Sequence, residues 1–357
     1  MVRIFLIVLL ALNSVTLAGV YLLKRRTDYM ANAYPQKTYD VFFDTLFQEG
    51  RVDDLEYEFG LMRSALAKGQ GFFSPRPNRI FQQREGFADV EFEVFSRHGD
   101  QWTVEIRSSE DDAPVASLQS NKALKLRTGM YKACFVKNVP REDCVKFGVG
   151  DVYVVAGQSN AESRSEEGVS SKNKAVTVSR KFEILDPSDR PVHVSAAWVF
   201  AGDDLSRKSG RPISFINVAE GATATYRWRP DQNLFRRLDK AVQEYQPKAI
   251  LWHQGESDCL EGLSENESYK NMASMIGAIK KISNVPWMVA HVSNLDIKNC
   301  PVRLAQSKII AAGLALDGPD TDPLEKTNGH FATPAQLQKH GEAWAAALDR
   351  HFYKRPQ

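Results

Sequence analysis

Four short segments of this chain carry side chains that can do acyl chemistry together. In Val-Val-Ala-Gly-Gln-Ser-Asn, ending at Asn160, a serine stands just past the apolar run Val152 to Ala156, which reads as a buried strand. In Asn-Gly-His-Phe, ending at Phe331, a histidine stands just before Thr333-Pro-Ala-Gln336, a capping box with proline at the first helical position. A serine hydroxyl is a poor nucleophile until a base takes its proton. Ser159 and His330 therefore offer both halves of an activated nucleophile. Between them, Glu220-Gly221-Ala follows a strand, and a glycine there can turn a backbone N–H toward a developing oxyanion. Trp252-His-Gln-Gly-Glu-Ser-Asp258 follows another strand. In it Gln254 can donate an amide N–H to the same oxyanion, and Glu256 can orient a histidine or cap the next helix. His253, adjoining the strand, reads as a structural histidine. Taken singly, each segment has a plainer reading as a helix cap, a turn or a solvated loop.

The elements that must position these residues alternate along the second half of the chain. Strands are predicted at Val152 to Ala156, Pro212 to Val218, Ala249 to Trp252 and Pro286 to Val292. Helices are predicted at Ala196 to Leu205, Asn233 to Glu244, Tyr269 to Ile282, Leu304 to Leu316 and Pro334 to Phe352. This alternation indicates parallel βαβ units and a three-layer α/β/α domain over residues 148–357. In such a sheet the ligand crevice opens beyond the carboxyl ends of the strands, where the first three segments fall, and His330 stands in the loop before the last helix. Ser163 to Lys174, rich in Ser, Glu and Lys, reads as a mobile loop beside the first segment. Residues 27–147 have another texture. A helix is predicted over Val52 to Ala67 and a loop over Gly69 to Pro77. Period-two strands follow at Val90 to Phe95 and Trp102 to Ile106, then short strands at Ala123 to Arg127 and Tyr131 to Val136. They indicate a small all-β, sandwich-like domain.

Ile4 to Leu23 is uncharged over twenty residues, and Lys24, Arg25 and Arg26 follow at once. Such a helix spans about 30 Å of hydrocarbon, so residues 1–26 read as a single-pass membrane anchor, with a cleaved signal segment as the alternative. The three cations favour a cytoplasmic domain. Four cysteines, at 134, 144, 259 and 300, form two candidate pairs and favour a periplasmic or extracellular one, although four separate thiols also fit. A net charge of +2 without a basic stripe argues against a nucleic-acid partner. HExxH, HxH, CxxC, GxGxxG and P-loop patterns are missing, as is the GxSxG nucleophile elbow, so neither a metal nor a cofactor is expected.

Gly157-Gln-Ser159-Asn, Glu220-Gly221-Ala, His253-Gln-Gly-Glu256 and Gly329-His330-Phe331, in that order, resemble the successive blocks of the SGNH-hydrolase superfamily. The branch they resemble most is that of sialate O-acetylesterase-like and acetylxylan-esterase-like carbohydrate esterases. The resemblance covers about residues 148 to 350. It implies Ser159 as nucleophile, His330 as general base, and an oxyanion hole made by the N–H groups of Ser159 and Gly221 with the Gln254 side chain. The substrate it implies is an acetylated carbohydrate. One position departs from the pattern: three residues before the histidine, where the superfamily has an aspartate, stands Thr327, with Asn328 beside it. Neither brings a negative charge to an imidazolium, and an uncharged orienter costs orders of magnitude in the serine-protease triad. Glu256 or Asp322 could supply the charge from another loop. The alternatives to a carbohydrate O-acetylesterase are an O-acetyltransferase using the same serine and a glycan-binding protein whose site no longer turns over.

Overall fold

The computed structural model describes Ser64, Lys68 and residues 70–96, 102–136, 143–293 and 300–353. The chain divides into two compact units, Met1–Gln48 and Glu49–Gln357, and every described residue belongs to the second. The anchor expected over residues 1–26 lies outside the described residues, as does, apart from Ser64, the helix expected over Val52 to Ala67. Among the described residues, no helix is long and apolar enough to cross a membrane.

The first strands are β1 (Gln70–Ser74), β2 (Ile80–Gln82), β3 (Phe87–Ser96), β4 (Val104–Ser108), β5 (Pro114–Leu118), β6 (Lys122–Arg127), β7 (Gly129–Phe135) and β8 (Asp143–Gly157). An antiparallel sheet β1-β3-β6 shares one apolar core with a second sheet of β5, β4, β7 and the first half of β8. Val90, Phe92 and Leu126 from the first sheet pack with Val104, Ile106, Phe135 and Phe147 from the second. On β3 the buried residues are Val90, Phe92 and Val94, with exposed Glu91 and Glu93 between them, so the period of two decides which face turns inward. Cys134 and Cys144 stand opposite each other on β7 and β8 and are joined by a disulfide.

Strand β8 runs from one core into the other. Its first half alternates, with Val145 and Phe147 buried and Cys144 and Lys146 exposed, as an antiparallel strand with one wet face does. From Phe147 to Gly157 every residue is buried, as in a parallel strand covered on both sides. Asp151 sits at the changeover and is fully buried. It accepts from Gln83 Nε2 (2.8 Å), Lys248 Nζ (3.0 Å) and the Tyr353 hydroxyl (2.8 Å). Burial pushes its carboxyl up, but the Lys248 ammonium and the donors outweigh that and hold it below the usual range.

After β8 come α1 (Ser159–Glu162), β9 (Val176–Arg180), β10 (Glu183–Leu185), α2 (Ala196–Ser209), β11 (Ile213–Asn217), a 3-10 turn (Thr225–Trp228), α3 (Asn233–Tyr245), β12 (Ala249–His253), α4 (Glu256–Leu260), α5 (Glu265–Lys280), β13 (Trp287–His291), α6 (Pro301–Ala311), β14 (Leu316–Asp320) and α7 (Pro334–Phe352). The sheet order is β10-β9-β11-β8-β12-β13-β14, parallel throughout except for β10. Tyr153 and Val155 of β8 pack under α2 and α7. Val152, Val154 and Ala156 pack under α3, α5 and α6. Helices therefore cover both faces of the sheet, giving a mixed α/β fold.

Three sequence expectations differ from the structure here. The helix predicted over Leu304 to Leu316 is α6 and part of β14: Gly313, at φ +68, turns the chain out of the helix. Strand β9 is an additional parallel strand between the loop Ser163–Lys174 and the helix at Ala196, where the sequence reading places no element. The loop Ser163–Lys174, expected to be mobile, is tied down by Ser165 N–H to His193 O (2.9 Å), by the reciprocal Val169–Val192 backbone pair (2.8 Å each) and by the Ser171 hydroxyl on Asp203.

Candidate active site

The chain leaves β8 for β9 and β11 on one side, then crosses to β12, β13 and β14 on the other. The carboxyl end of β8 is thus a topological switch point, where an α/β sheet opens its crevice. The loops after β8, β11 and β12 meet there and are laced by backbone bonds. Glu220 N–H donates to Gly157 O (2.9 Å), and Gln158 N–H donates to His253 O (3.1 Å). Gly157 has φ +130, and a Cβ on it would lie 2.1 Å from His253 O, so only glycine fits this exit. The Gln158 side chain accepts from the Gly255 and Ser257 N–H groups at 3.2 and 3.0 Å, which ties the first block to the third.

Ser159 opens α1, and its Oγ lies 3.0 Å from His330 Nε2 although 171 positions separate the two. His330 stands in a tight turn closed by the backbone pair Thr327 N–H to His330 O (2.8 Å) and His330 N–H to Thr327 O (3.0 Å). Asn328 and Gly329 adopt left-handed conformations in that turn, at φ 50 and 76. Nδ1 of the imidazole faces the backbone carbonyl of Asn328 at 3.0 Å. A carbonyl can only accept, so Nδ1 carries the hydrogen and Nε2 presents its lone pair to the Ser159 hydroxyl. The Thr327 hydroxyl is directed to the Gln336 amide (3.1 Å) rather than to the ring. The His330 ring faces Ser159 Oγ and the Asn328 carbonyl, and Glu256 bonds Asn160 instead.

Gly221 lies against Ser159: a Cβ built on it would be 3.9 Å from Ser159 Cβ and 3.3 Å from Glu162 Oε2. Among the described residues, the N–H groups of Ser159 and Gly221 donate to no protein acceptor. The turn that carries Gly221 is held by Asn217, whose Nδ2 donates to Ala161 O (2.9 Å) and whose Oδ1 accepts from Ala219 N–H (3.0 Å).

Gln254 differs from expectation. Its amide donates to Thr223 O (3.0 Å) and to Asp258 Oδ1 (2.7 Å), so both amide hydrogens are committed and neither is left for an oxyanion. It acts instead as a strut beneath the turn two residues beyond Gly221. Glu256 is buried and accepts from Asn160 Nδ2 at 2.7 Å. Burial pushes its carboxyl up, against the Asn160 N–H. Asp258, which the sequence did not single out, is a hub. It accepts from Thr225 N–H (2.7 Å), Thr225 Oγ1 (2.6 Å), Gln254 Nε2 (2.7 Å) and Ser268 Oγ (2.9 Å).

His253 is a buried structural histidine. Its Nδ1 faces His340 Nε2 at 3.1 Å, and that atom also accepts from Trp344 Nε1–H at 3.1 Å. The Phe331 ring stacks on His340 with centroids 4.3 Å apart, so the residue after His330 is seated on this pair. Burial pushes His253 down to about 3 and His340 well below its ordinary value. The unfolded chain protonates each near 6.5, whereas folded His253 stays neutral to about pH 3. Stability is therefore complete above about pH 6.5 and falls as pH drops toward about 3, by about 1.4 kcal/mol per pH unit for His253. Urea unfolding from pH 7 to 4 should show this slope, and His253→Gln should flatten it; a variant as steep as the parent would refute the assignment.

The family model for carbohydrate esterases described as sialic acid-specific acetylesterase matches residues 149–350, more than half of the chain. A probable carbohydrate esterase of Arabidopsis thaliana is 32% identical over 143 residues. That match spans 35% of this chain and 52% of the plant protein, so the chain covers about half of the length of this relative. The fold is similar to that of a carbohydrate acetylesterase from Xanthomonas citri, at a TM-score of 0.55 and 16% identity over 80% of this chain and 76% of that one. With the four blocks converging at the switch point of an α/β sheet and the family match running through all of them, the chain belongs to the sialic acid-specific acetylesterase family of carbohydrate esterases.

Proposed function

We propose that this protein removes O-acetyl groups from a carbohydrate by two-step acyl transfer through Ser159. The observation that carries the reading is the 3.0 Å contact between Ser159 Oγ and His330 Nε2, with Nδ1 held by a group that can only accept. His330 takes the hydroxyl proton as Oγ attacks the acetyl carbonyl. The oxyanion of the tetrahedral intermediate accepts from the N–H groups of Ser159 and Gly221. Collapse breaks the bond to the sugar oxygen, which leaves with the proton from His330. A water then gives a proton to His330 and attacks the acetyl-serine, and acetate departs as Ser159 is reprotonated. The Asn328 carbonyl orients the imidazole but offers only a partial negative charge to the imidazolium, so the chemical step is slower than with a carboxylate in that place.

Membership of an acetylesterase family supports hydrolysis over the other two readings. The uncharged Ile4–Leu23 segment supports a membrane anchor. The Cys134–Cys144 and Cys259–Cys300 disulfides support a catalytic domain outside the cytoplasm. Incubation with 4-nitrophenyl acetate and with O-acetylated sugars tests the function. Acetate should be released at the same rate whether or not unacetylated sugar is present. Diversion of acetyl onto the added sugar would indicate a transferase, and saturable sugar binding without acetate release a binding protein.

A further inference from the structure

Asn160, the residue after the nucleophile, is 4% exposed, and its amide is fixed from three sides. Nδ2 donates to Glu256 Oε1 at 2.7 Å and to Gly329 O at 3.1 Å, and Oδ1 accepts from Phe331 N–H at 3.2 Å. Gly329 and Phe331 are the two chain neighbours of His330. One side chain from the nucleophile's own turn thus grips the backbone on both sides of the base. The grip closes a ring: Ser159 and Asn160 through the chain, Asn160 to the 329–331 backbone through its amide, His330 back to Ser159 through the 3.0 Å contact. Glu256 sets which way the amide faces, because the opposite orientation would turn the amide oxygen toward a carboxylate and a carbonyl, two acceptors without a hydrogen between them.

We propose that Asn160 is the positioning residue that sets the Ser159–His330 distance, and that Glu256 serves catalysis through Asn160 rather than as the acidic partner of the imidazole. The inference rests on the acyl-transfer reading above. The turn around His330 contains two left-handed residues and a single backbone-pair closure. Without the Asn160 clamp nothing else described bonds the peptides flanking the base to the nucleophile's turn. A misplacement of about 1 Å between reacting groups costs about 100-fold in rate.

The two roles for Glu256 part company in Glu256→Gln, which keeps an oxygen for the Asn160 N–H but removes the carboxyl charge. Steady-state hydrolysis of 4-nitrophenyl acetate by the parent, Ser159→Ala, Asn160→Ala, Asn160→Asp, Glu256→Ala, Glu256→Gln and the Asn160→Ala/Glu256→Ala double variant separates them, with near-UV circular dichroism confirming the fold. Asn160→Ala and Glu256→Ala should lose kcat by about 100-fold with KM within about twofold. Glu256→Gln should recover to within about fivefold of the parent, and the double variant should be no worse than Asn160→Ala alone. Asn160→Asp, which sets a carboxylate against Glu256, should be as poor as Asn160→Ala. A Glu256→Gln variant as inactive as Glu256→Ala, or Asn160→Ala with parental kcat, overturns the inference. Activity retained in Ser159→Ala overturns the acyl-transfer reading instead. A crystal structure of Asn160→Ala supplies a readout independent of turnover: the Ser159–His330 contact should open beyond hydrogen-bond distance, and an intact contact rejects the clamp.

Discussion

Ser159→Ala should lower kcat for acetyl-ester hydrolysis by on the order of 10⁴–10⁶-fold while leaving KM and thermal stability close to those of the parent. In the proposed mechanism the hydroxyl is the atom that becomes acetylated, and the lost contact is one hydrogen bond at the crevice rim. His330→Ala should fall by a comparable factor, because a serine without its base is almost unreactive at neutral pH. The two changes act on one proton transfer, so the double variant should be no slower than either single one. Rates from purified protein, corrected for the uncatalysed reaction, check this. Independent, multiplying effects would mean that the two residues do not work as a pair.

The second large effect is on stability and comes from Asp258→Ala. Its carboxylate is fully buried and accepts four hydrogen bonds, joining the 3-10 turn, the Gln254 amide and α5. Removing it strands four buried donors. Each unsatisfied donor costs about 1–3 kcal/mol. A loss of at least about 3 kcal/mol is expected, which lowers Tm by roughly 6–12 °C for a domain of this size. Asp258→Asn keeps one acceptor oxygen and should lose less. The Gln254 strut also rests on Asp258, so activity should fall together with stability. Differential scanning calorimetry of both variants decides it, and a Tm within about 2 °C of the parent for Asp258→Ala would show that the hub is dispensable.

Much of this site is legible in the sequence because its strands are continuous apolar runs ending in polar residues. Val152–Ala156 and Ala249–Trp252 can only be covered strands, and whatever follows them must fall in the crevice. The resemblance of the four blocks to the SGNH-hydrolase superfamily then implies Ser159 and His330 as a pair. Other parts are carried by backbone geometry and leave little trace in composition. Strand β14 reads Leu-Asp-Gly-Pro-Asp, a poor strand sequence; Gly318 is there because a Cβ would lie 2.7 Å from Val289 O. The partner of His330 Nδ1 is a main-chain carbonyl, which no residue type can announce. The position of Gln254 just past a strand suggests the oxyanion, but the direction of an amide depends on acceptors contributed by Thr223 and Asp258. Asn160 is in the sequence only the residue after Ser159, and its role depends on the 329–331 backbone that the fold brings to its other side.

In the proposed mechanism Ser159 is a nucleophile activated by His330. Reaction with a fluorophosphonate ester, followed by peptide mass mapping, tests it without any assumption about the sugar. The phosphonyl group should be found on Ser159 alone, and labelling should be abolished in His330→Ala. An adduct on another residue, or undiminished labelling of Ser159 without His330, would contradict the account.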